Sequence, residues 1–270
     1  MTVKVVLVGC GNMGYAMLAG WLKSGRLEPA ETFVVEPNAE LRARAQKLGS
    51  GVGTDASDIP ASAPKLVVLA VKPQVIRDVT AAYKHLGGGK TTFVSVAAGT
   101  PIATFEEILG STTPVIRVMP NTPAAIGKGM MVVCANGNVA SETSAFVENL
   151  LAASGAVATV DDEGQMDAVT AVSGSGPAYV FHFIECLTAA AEQAGLPRDT
   201  ARLLAMQTVY GAAILAAESD EGPGKLREQV TSPNGTTAAA LAVLMGDDRL
   251  KTLVGEAVKA ARLRSIELGK

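Results

Sequence analysis

The sequence has few of the residues that catalyse reactions without a cofactor. It contains two histidines, His85 and His182, and three cysteines, Cys10, Cys134 and Cys186, which are far apart along the chain. So few histidines argue against a metal centre and against the Ser–His and Cys–His pairs of covalent catalysis. Three separated cysteines fit neither a disulfide framework nor a zinc motif. We therefore expect no metal, a reducing cytoplasmic location, and chemistry that a bound cofactor supplies.

Excess charge and long apolar runs are also lacking. The formal net charge is −3, so the chain has no basic excess with which to bind the phosphates of nucleic acid. The first residues run straight into a strand-like stretch, without the charged and apolar regions of an export signal. The most apolar later stretch, residues 168–184, is interrupted by the letters SGSGP and is shorter than the roughly 20 residues of a membrane span. We expect neither nucleic acid nor a membrane as a partner.

Short β-branched runs alternate with helical stretches up to about residue 160, which predicts a parallel sheet with crossover helices. The predicted strands are residues 3–8, 33–36, 66–71, 92–96, 115–118, 130–134 and 156–160. Beyond residue 162, alanine and leucine dominate and apolar residues recur at helical spacing. The sequence therefore predicts an α/β fold with a doubly wound, mostly parallel sheet over residues 1–162 and an all-helical domain over residues 163–270.

The first predicted strand is followed at once by the letters GCGNMG, a G-x-G-x-x-G pattern that opens a helix. Gly9 permits the tight turn, Gly11 lets the backbone approach a pyrophosphate, and Gly14 allows close packing of helix on strand. The N–H groups at the start of the helix, around Asn12 and Met13, point at the anion. The pattern predicts a Rossmann-type dinucleotide-binding domain, with a glycine turn that binds nothing as the alternative.

An acidic residue, Glu36, ends the second predicted strand. At this position a carboxylate accepts hydrogen bonds from the ribose hydroxyls of NAD and repels the 2′-phosphate of NADP. Arg42 and Arg44 follow closely, and either could bind that extra phosphate or lie on a solvated helix face. The cofactor is therefore expected to be NADH or NADPH, with Glu36 favouring NADH.

Three further loops follow strand ends, where ligands of open α/β sheets bind. Two prolines stiffen the third loop, in the letters MPNTP, and its asparagine is expected near the nicotinamide ring. The predicted cofactor-binding residues in these loops are Ala70, Val71, Lys72, Pro73, Ala97, Ala98, Gly99 and Asn121. The alternatives are an ordinary exposed lysine for Lys72 and a turn-forming residue beside proline for Asn121.

Two features of the helical region need a ligand or a partner to explain them. Residues 232–237 place small hydroxyl residues and a glycine at the start of a helix, where free N–H groups and hydroxyls could hold a carboxylate; plain helix capping is the alternative. The predicted helix over residues 200–217 is apolar on nearly every face, so a partner subunit should cover it. A helix that is simply central in its own domain would show the same pattern.

Taken together, the glycine loop and the letters VKPQ, SVAAG, RVMPNTP, SGSGPAY and VTSPNGTT resemble pyrroline-5-carboxylate reductase over nearly the whole chain. The last three motifs are specific to that family, whereas many dehydrogenases share the first. The resemblance implies hydride transfer from NAD(P)H to the C=N bond of 1-pyrroline-5-carboxylate, giving L-proline in the last step of proline biosynthesis. It also implies that the helical domain forms homodimers, which assemble further in some members.

The resemblance also assigns the substrate site. The substrate carboxylate is expected on Ser232 and on the backbone of Gly235, Thr236 and Thr237, with the Thr237 hydroxyl bonded to the imine nitrogen. The expected substrate-binding residues are Ser232, Asn234, Gly235, Thr236 and Thr237, and the expected catalytic residue is Thr237. Many relatives carry Asn, Arg or Ser at the position of Glu36, and this departure leaves cofactor preference open.

Two alternative functions share parts of this pattern. A 3-hydroxyacid dehydrogenase of the hydroxyisobutyrate type has the same glycine loop and a helical second domain, but it needs a lysine on the helix that joins them. This chain has no lysine between Lys128 and Lys225. A non-catalytic protein that senses dinucleotides is the second alternative. Such a sensor would not need a carboxylate site at residues 232–237.

Overall fold

One sheet organises the first two thirds of the chain. The computed structural model describes residues 3–60 and 63–269, so residues 1, 2, 61, 62 and 270 of the predicted domains lie outside the described residues. The strands β1 to β8 are Val5–Val8, Thr32–Val35, Gly51–Gly53, Leu66–Leu69, Thr92–Ser95, Val115–Met119, Gly129–Ala135 and Gly155–Thr159. Their order is β3-β2-β1-β4-β5-β6-β7-β8. All neighbours are parallel except β6 and β7, which are antiparallel.

The central strands are apolar at every position because both faces of the sheet are covered. β1 reads VVLV and β4 reads LVVL, and all eight residues are buried. Alternate side chains point to opposite faces, so Leu7 and Val68 join one apolar core while Val6 and Val67 join the other. This two-sided burial is what the continuous apolar runs predict for a parallel sheet between helical layers.

The direction of strand order reverses between β1 and β4. From β1 the chain moves outward through β2 to β3, and then returns to β4 on the other side of β1. Val8 pairs with both Val35 and Leu69, so the residues that follow these three strands emerge side by side. Ligands of doubly wound sheets bind in the crevice at such a reversal.

The predicted fold class is confirmed. Each predicted strand overlaps an observed one, and the sheet is doubly wound and mostly parallel. The structure also contains one strand that was not predicted, β3, because the letters GVG carry no apolar run. The helices α1 to α11 are Asn12–Lys23, Ala39–Lys47, Ile76–Ala81, Ile102–Leu109, Ser141–Leu151, Met166–Val169, Gly176–Gln193, Arg198–Glu218, Pro223–Gln229, Thr236–Met245 and Arg249–Leu268.

The described chain divides into two compact units, and the division differs from the predicted boundary after residue 162. Unit 1 comprises Met1–Ser175 and Ala261–Lys270, and unit 2 comprises Gly176–Ala260. Residues 163–175 group with the sheet because Met166 is fully buried in its core. The composition of that segment is already helical, so its packing could not be seen in the sequence.

Unit 2 is helical and buries few of its own side chains. Helix α8 buries only Ala201 and Ala205, and α7 and α10 have no buried residue among those described. Its large exposed apolar side chains include Leu203, Leu204, Met206, Tyr210, Leu215, Val243, Leu244 and Leu253. Within the described residues, α8 is the one helix long and apolar enough to cross a bilayer. So much exposed apolar surface indicates that another surface covers it.

Candidate active site

The carboxyl ends of five neighbouring strands bring the predicted cofactor-binding residues to one edge of the sheet. Gly9, Glu36 and Ala70 directly follow β1, β2 and β4. Residues 97–99 and Asn121 follow β5 and β6 at the same edge. All fourteen predicted residues therefore lie along one line of loops in unit 1.

Two glycines of the first loop are required by close packing. Gly9 has φ +89°, and a Cβ there would lie 2.7 Å from the carbonyl oxygen of Ala70. A Cβ on Gly14 would overlap the carbonyl oxygen of Gly9. These contacts set the first turn of α1 directly against the ends of β1 and β4.

Gly11 differs from the other two because it faces open space. A Cβ built on Gly11 would meet no described atom within 4 Å. Gly11 is also the N-cap of α1 and has no side chain with which to cap the helix. The first N–H groups of α1 are therefore not capped by a side chain, and no side chain covers them at Gly11. Such a helix start can bind a pyrophosphate.

Glu36 holds the glycine loop from the side of β2. Its carboxylate accepts the N–H of Cys10 at 2.7 Å through Oε2 and the N–H of Asn38 at 2.9 Å through Oε1. The side chain is buried, with 6% of the residue exposed. A carboxylate has about four acceptor positions, so these bonds leave room for a ribose hydroxyl.

The two arginines after Glu36 are half-buried and bound to backbone carbonyls. Arg42 donates to the carbonyl oxygens of Glu36 and Pro37 at 2.8 and 3.0 Å. Arg44 donates to the carbonyl oxygens of Cys10 and Gly11 at 3.0 and 3.2 Å. Both side chains therefore fasten loops at the edge of the sheet.

Arg44 also shapes the surface beside α1. Its guanidinium lies over the ring of Tyr15, 4.1 Å from the centroid, in a cation–π contact. Both residues line a cavity of about 1090 Å³ that runs along α1 from Asn12 to Ser24. Of the predicted cofactor-binding residues, only Asn12 and Met13 line this cavity. The cavity therefore extends away from the crevice between β1 and β4.

The thiol within the glycine loop is neutral at pH 7. Cys10 is fully buried, and this burial raises the pKa of its thiol, although Arg44 opposes the shift. A neutral thiol adds no further negative charge to that of the Glu36 carboxylate beside the start of α1.

Asn121 connects two segments of the protein. Its side-chain oxygen accepts the N–H of Met130 at 2.8 Å, and its amide nitrogen donates to the carbonyl oxygen of Ser173 at 3.2 Å. Ser173 belongs to a π-helical turn at Thr170–Gly174, which contains the start of the SGSGP motif. The two family motifs MPNTP and SGSGP are thus joined through one amide group.

An ion pair between buried Arg117 and half-buried Glu163 lies next to these loops and was not predicted. Arg117 on β6 donates to Oε1 of Glu163 at 2.9 Å, and its side chain is 6% exposed. The same oxygen accepts the N–H of Ile102, at the start of α4, at 2.8 Å. The partners are far apart in the chain, so no local sequence pattern could have revealed this contact.

The predicted substrate-binding residues lie together in unit 2, around the start of α10. The N–H of Gly235 donates to the carbonyl oxygen of Ser232 at 3.0 Å, which closes a turn. Asn234 has φ +58°, in the left-handed region. Gly235 is the N-cap of α10 and offers no side-chain cap, so the N–H groups that follow at Thr236 and Thr237 begin an uncapped helix.

Comparison with known proteins decides the family. The model for pyrroline-5-carboxylate reductase dimerisation matches residues 163–268, and that for NADP oxidoreductase coenzyme F420-dependent matches residues 4–99. A pyrroline-5-carboxylate reductase of Pseudomonas aeruginosa is 41% identical, over 100% of this chain and 98% of its own. The chain belongs to the pyrroline-5-carboxylate reductase family. The predicted family membership is thereby confirmed.

Solved structures agree with this membership. A pyrroline-5-carboxylate reductase from Coxiella burnetii has a TM-score of 0.94 and 36% identity, covering 100% of both chains. The Plasmodium falciparum pyrroline carboxylate reductase with NADP bound has a TM-score of 0.85 and 30% identity, covering 99% of this chain and 98% of that one.

The family assignment confirms the predicted activity. The chain is an NAD(P)H-dependent oxidoreductase that reduces 1-pyrroline-5-carboxylate to L-proline, the last step of proline biosynthesis. The hydroxyacid dehydrogenase and the non-catalytic sensor are therefore set aside. Its helical region is a dimerisation domain, so the enzyme is a homo-oligomer that acts on a small molecule.

The glycine geometry separates a packing role from a ligand role. We expect Gly14→Ala to lower the free energy of unfolding by at least about 2 kcal/mol, because its Cβ would strike the backbone of Gly9. We expect Gly11→Ala to lower the free energy of unfolding by no more than about 1 kcal/mol, the cost of alanine at an N-cap, but to weaken NADPH binding roughly tenfold, because the methyl group would lie over the bare helix start. Urea denaturation and fluorescence titration measure the two effects. Equal stability losses in both variants would contradict the assignment.

Proposed function

We propose that the enzyme holds NAD(P)H in the crevice at the carboxyl ends of β1, β2, β4, β5 and β6. The observation that carries this proposal is the bare surface over Gly11 next to the uncapped start of α1. Asn12 and Met13 would present their N–H groups to the pyrophosphate. The proposed contacts of the cofactor are Gly9, Gly11, Asn12, Met13, Gly14, Glu36, Ala70, Val71, Lys72, Pro73, Ala97, Ala98, Gly99 and Asn121.

The two ends of the cofactor would meet different loops. Glu36, at the end of β2, would accept hydrogen bonds from the adenosine ribose in addition to the two N–H groups that it already holds. The loops at residues 70–73 and 97–99, together with the loop of Asn121, would flank the second ribose and the nicotinamide. The chemistry supplied by the bound cofactor is donation of a hydride to the carbon of the C=N bond.

We propose that the start of α10 binds the substrate. Its first N–H groups have no cap from Gly235, and a carboxylate is the anion that would complete them. Ser232 and Asn234 flank this helix start within the same turn. The Thr237 hydroxyl would then donate to or accept from the imine nitrogen and fix the orientation of the ring.

The proposed site needs no strong acid. A protonated cyclic imine is already electrophilic, so the protein has to orient the ring, stabilise the nitrogen and exclude water. The uncapped helix start and a hydroxyl are sufficient groups for the first two tasks. That no strong acid is needed agrees with a chain that has only two histidines.

Substitution of Thr237 tests this role. We expect Thr237→Ala to lower kcat by roughly ten- to a hundredfold, because the ring loses the hydrogen bond that would fix its orientation for hydride transfer. Affinity for the dinucleotide should stay within about twofold of the parent value. Thr237→Ser keeps the hydroxyl and is the matched control, so it should retain most of the activity. An unchanged kcat in Thr237→Ala would remove this residue from the proposed mechanism.

We propose that Glu36 makes NADH the preferred cofactor, since its buried carboxylate would face an added 2′-phosphate. Glu36→Gln keeps the shape and removes the charge, together with one of the two acceptors for the N–H groups of Cys10 and Asn38. We expect it to raise the ratio of kcat/KM for NADPH to that for NADH by about tenfold, the effect of a moderate like-charge repulsion. Glu36→Ser, which also opens space, should raise the ratio further. A ratio that stays constant in both variants would disprove the proposed contact.

We further propose that the assembly is a dimer or a set of dimers, in the cytoplasm, without nucleic acid or membrane as a partner. A partner subunit covering unit 2 would account for the exposed apolar side chains of α8. The matched dimerisation region, residues 163–268, also favours a functional boundary near the predicted residue 163. On this proposal the apolar character of α8 serves subunit contact.

A charge on α8 tests this arrangement. Leu203 is 66% exposed in the single chain. We expect Leu203→Glu to raise the dimer dissociation constant by about a hundredfold, because it buries an unpaired carboxylate at a subunit contact. Gln46→Glu adds the same charge on α2 of unit 1 and should leave assembly unchanged. Sedimentation analysis over a concentration series measures both, and a Leu203→Glu protein that assembles normally would contradict the proposal.

A further inference from the structure

We propose that Glu163, Asp167 and Ser265 are positioning residues that brace the loop at residues 97–99 from behind. The inference rests on the proposed function, in which this loop holds the nicotinamide end of the cofactor. These residues lie within the region matched as a dimerisation domain. They belong, however, to unit 1 together with the sheet. We call the segment 163–167 together with the last turn of α11 the brace.

The last turn of α11 lies directly against the loop. Gly99 has φ +72°, and a Cβ on it would be 3.4 Å from the Cβ of Leu268 and 3.7 Å from the nitrogen of Gly269. A Cβ on Gly269 would in turn come within 2.7 Å of the carbonyl oxygen of Gly99. The two backbones therefore pack closely enough to leave no room for a side chain on Gly269.

Ser265 fixes this turn of α11 in place. Its hydroxyl donates to Oδ1 of Asp167 at 2.6 Å, across 98 residues of chain. Ser265 is buried, with 4% exposed, whereas Asp167 is half-buried, so the bond is partly shielded from water. This hydrogen bond ties the helix end beside Gly99 to α6.

Glu163 holds the chain just beyond the loop. Its Oε1 accepts the N–H of Ile102, three residues after Gly99 at the start of α4, and an N–H of the Arg117 guanidinium on β6. Asp167 follows Glu163 by four positions, so one short segment supports Gly99 through α11 and the chain beyond the loop through Ile102. A loop held at its last residue and just beyond it has little freedom to shift.

Such support matters because hydride transfer depends steeply on distance. A displacement of about 1 Å in a reacting group costs up to about a hundredfold in rate. A brace residue touches neither cofactor nor substrate, so its loss should affect the nicotinamide end and spare the adenosine end. This difference separates a positioning role from a general loss of stability.

The test compares full-length variants by binding and by rate. We expect Ser265→Ala and Asp167→Ala each to lower kcat and NADPH affinity by about three- to tenfold, the equivalent of one hydrogen bond. Affinity for 2′-phospho-ADP-ribose, which lacks nicotinamide, should not change. Asp167→Asn keeps an oxygen acceptor and should behave as the parent. The double variant Ser265→Ala/Asp167→Ala should lose no more than either single variant, because both remove the same bond.

Two further variants distinguish failure of the brace from failure of the loop assignment. Arg264→Ala breaks an exposed ion pair with Glu267 on the same turn of α11 and should change neither rate nor binding. Gly99→Ala tests the loop itself, because it strains a left-handed residue. If Gly99→Ala lowers kcat and Ser265→Ala does not, the brace is disproved and the loop assignment stands. If Gly99→Ala leaves kcat and NADPH affinity unchanged, the loop assignment fails and the brace fails with it. If Ser265→Ala lowers the affinities for NADPH and for 2′-phospho-ADP-ribose equally, the brace is also disproved.

Discussion

The arrangement of the loops at the carboxyl ends of the strands depends on how closely the backbone of α1 approaches the ends of β1 and β4. No side chain separates Gly14 from Gly9, and Gly9 in turn lies against Ala70. This contact places the helix start, with its unsatisfied N–H groups, at the point where strand order reverses. Glu36 and Arg44 then hold the connecting loop through its N–H and carbonyl groups. A wider separation would remove the helix terminus from the crevice, whatever the other loops contributed.

The two units are stabilised in different ways. The sheet of unit 1 has an apolar core on each face, and both cores consist of residues from unit 1. Unit 2 leaves large side chains such as Leu203 and Tyr210 exposed in the single chain. Residues 163–175 belong to the region that matches the dimerisation family model, but they pack on the sheet of unit 1. The family model and the packing therefore divide the chain at different residues.

The sequence predicted what depends on local pattern and missed what depends on distant partners. Continuous apolar runs revealed the central strands, and the spacing of glycines revealed the turn into α1. Glu36 was correctly placed at a strand end, but its bond to Cys10 spans 26 residues and has no local signature. The hydrogen bonds from Arg44 to the glycine loop, 33 and 34 residues away, likewise have no local signature. The short strand β3 was missed because two of its three residues are glycine, which has a low strand propensity. Its pairing with β2 is a tertiary contact that residue propensities do not reveal.

The apolar surface of α8 has a consequence for the life of a newly made chain. Leu203, Met206 and Leu215 are exposed in the single chain, so a newly made subunit presents them to the solvent until another surface covers them. During that interval, association competes with aggregation, and the outcome depends on subunit concentration. With a second copy as that surface, as proposed above, the stability of unit 2 would rise with subunit concentration, whereas unit 1 already has its own cores.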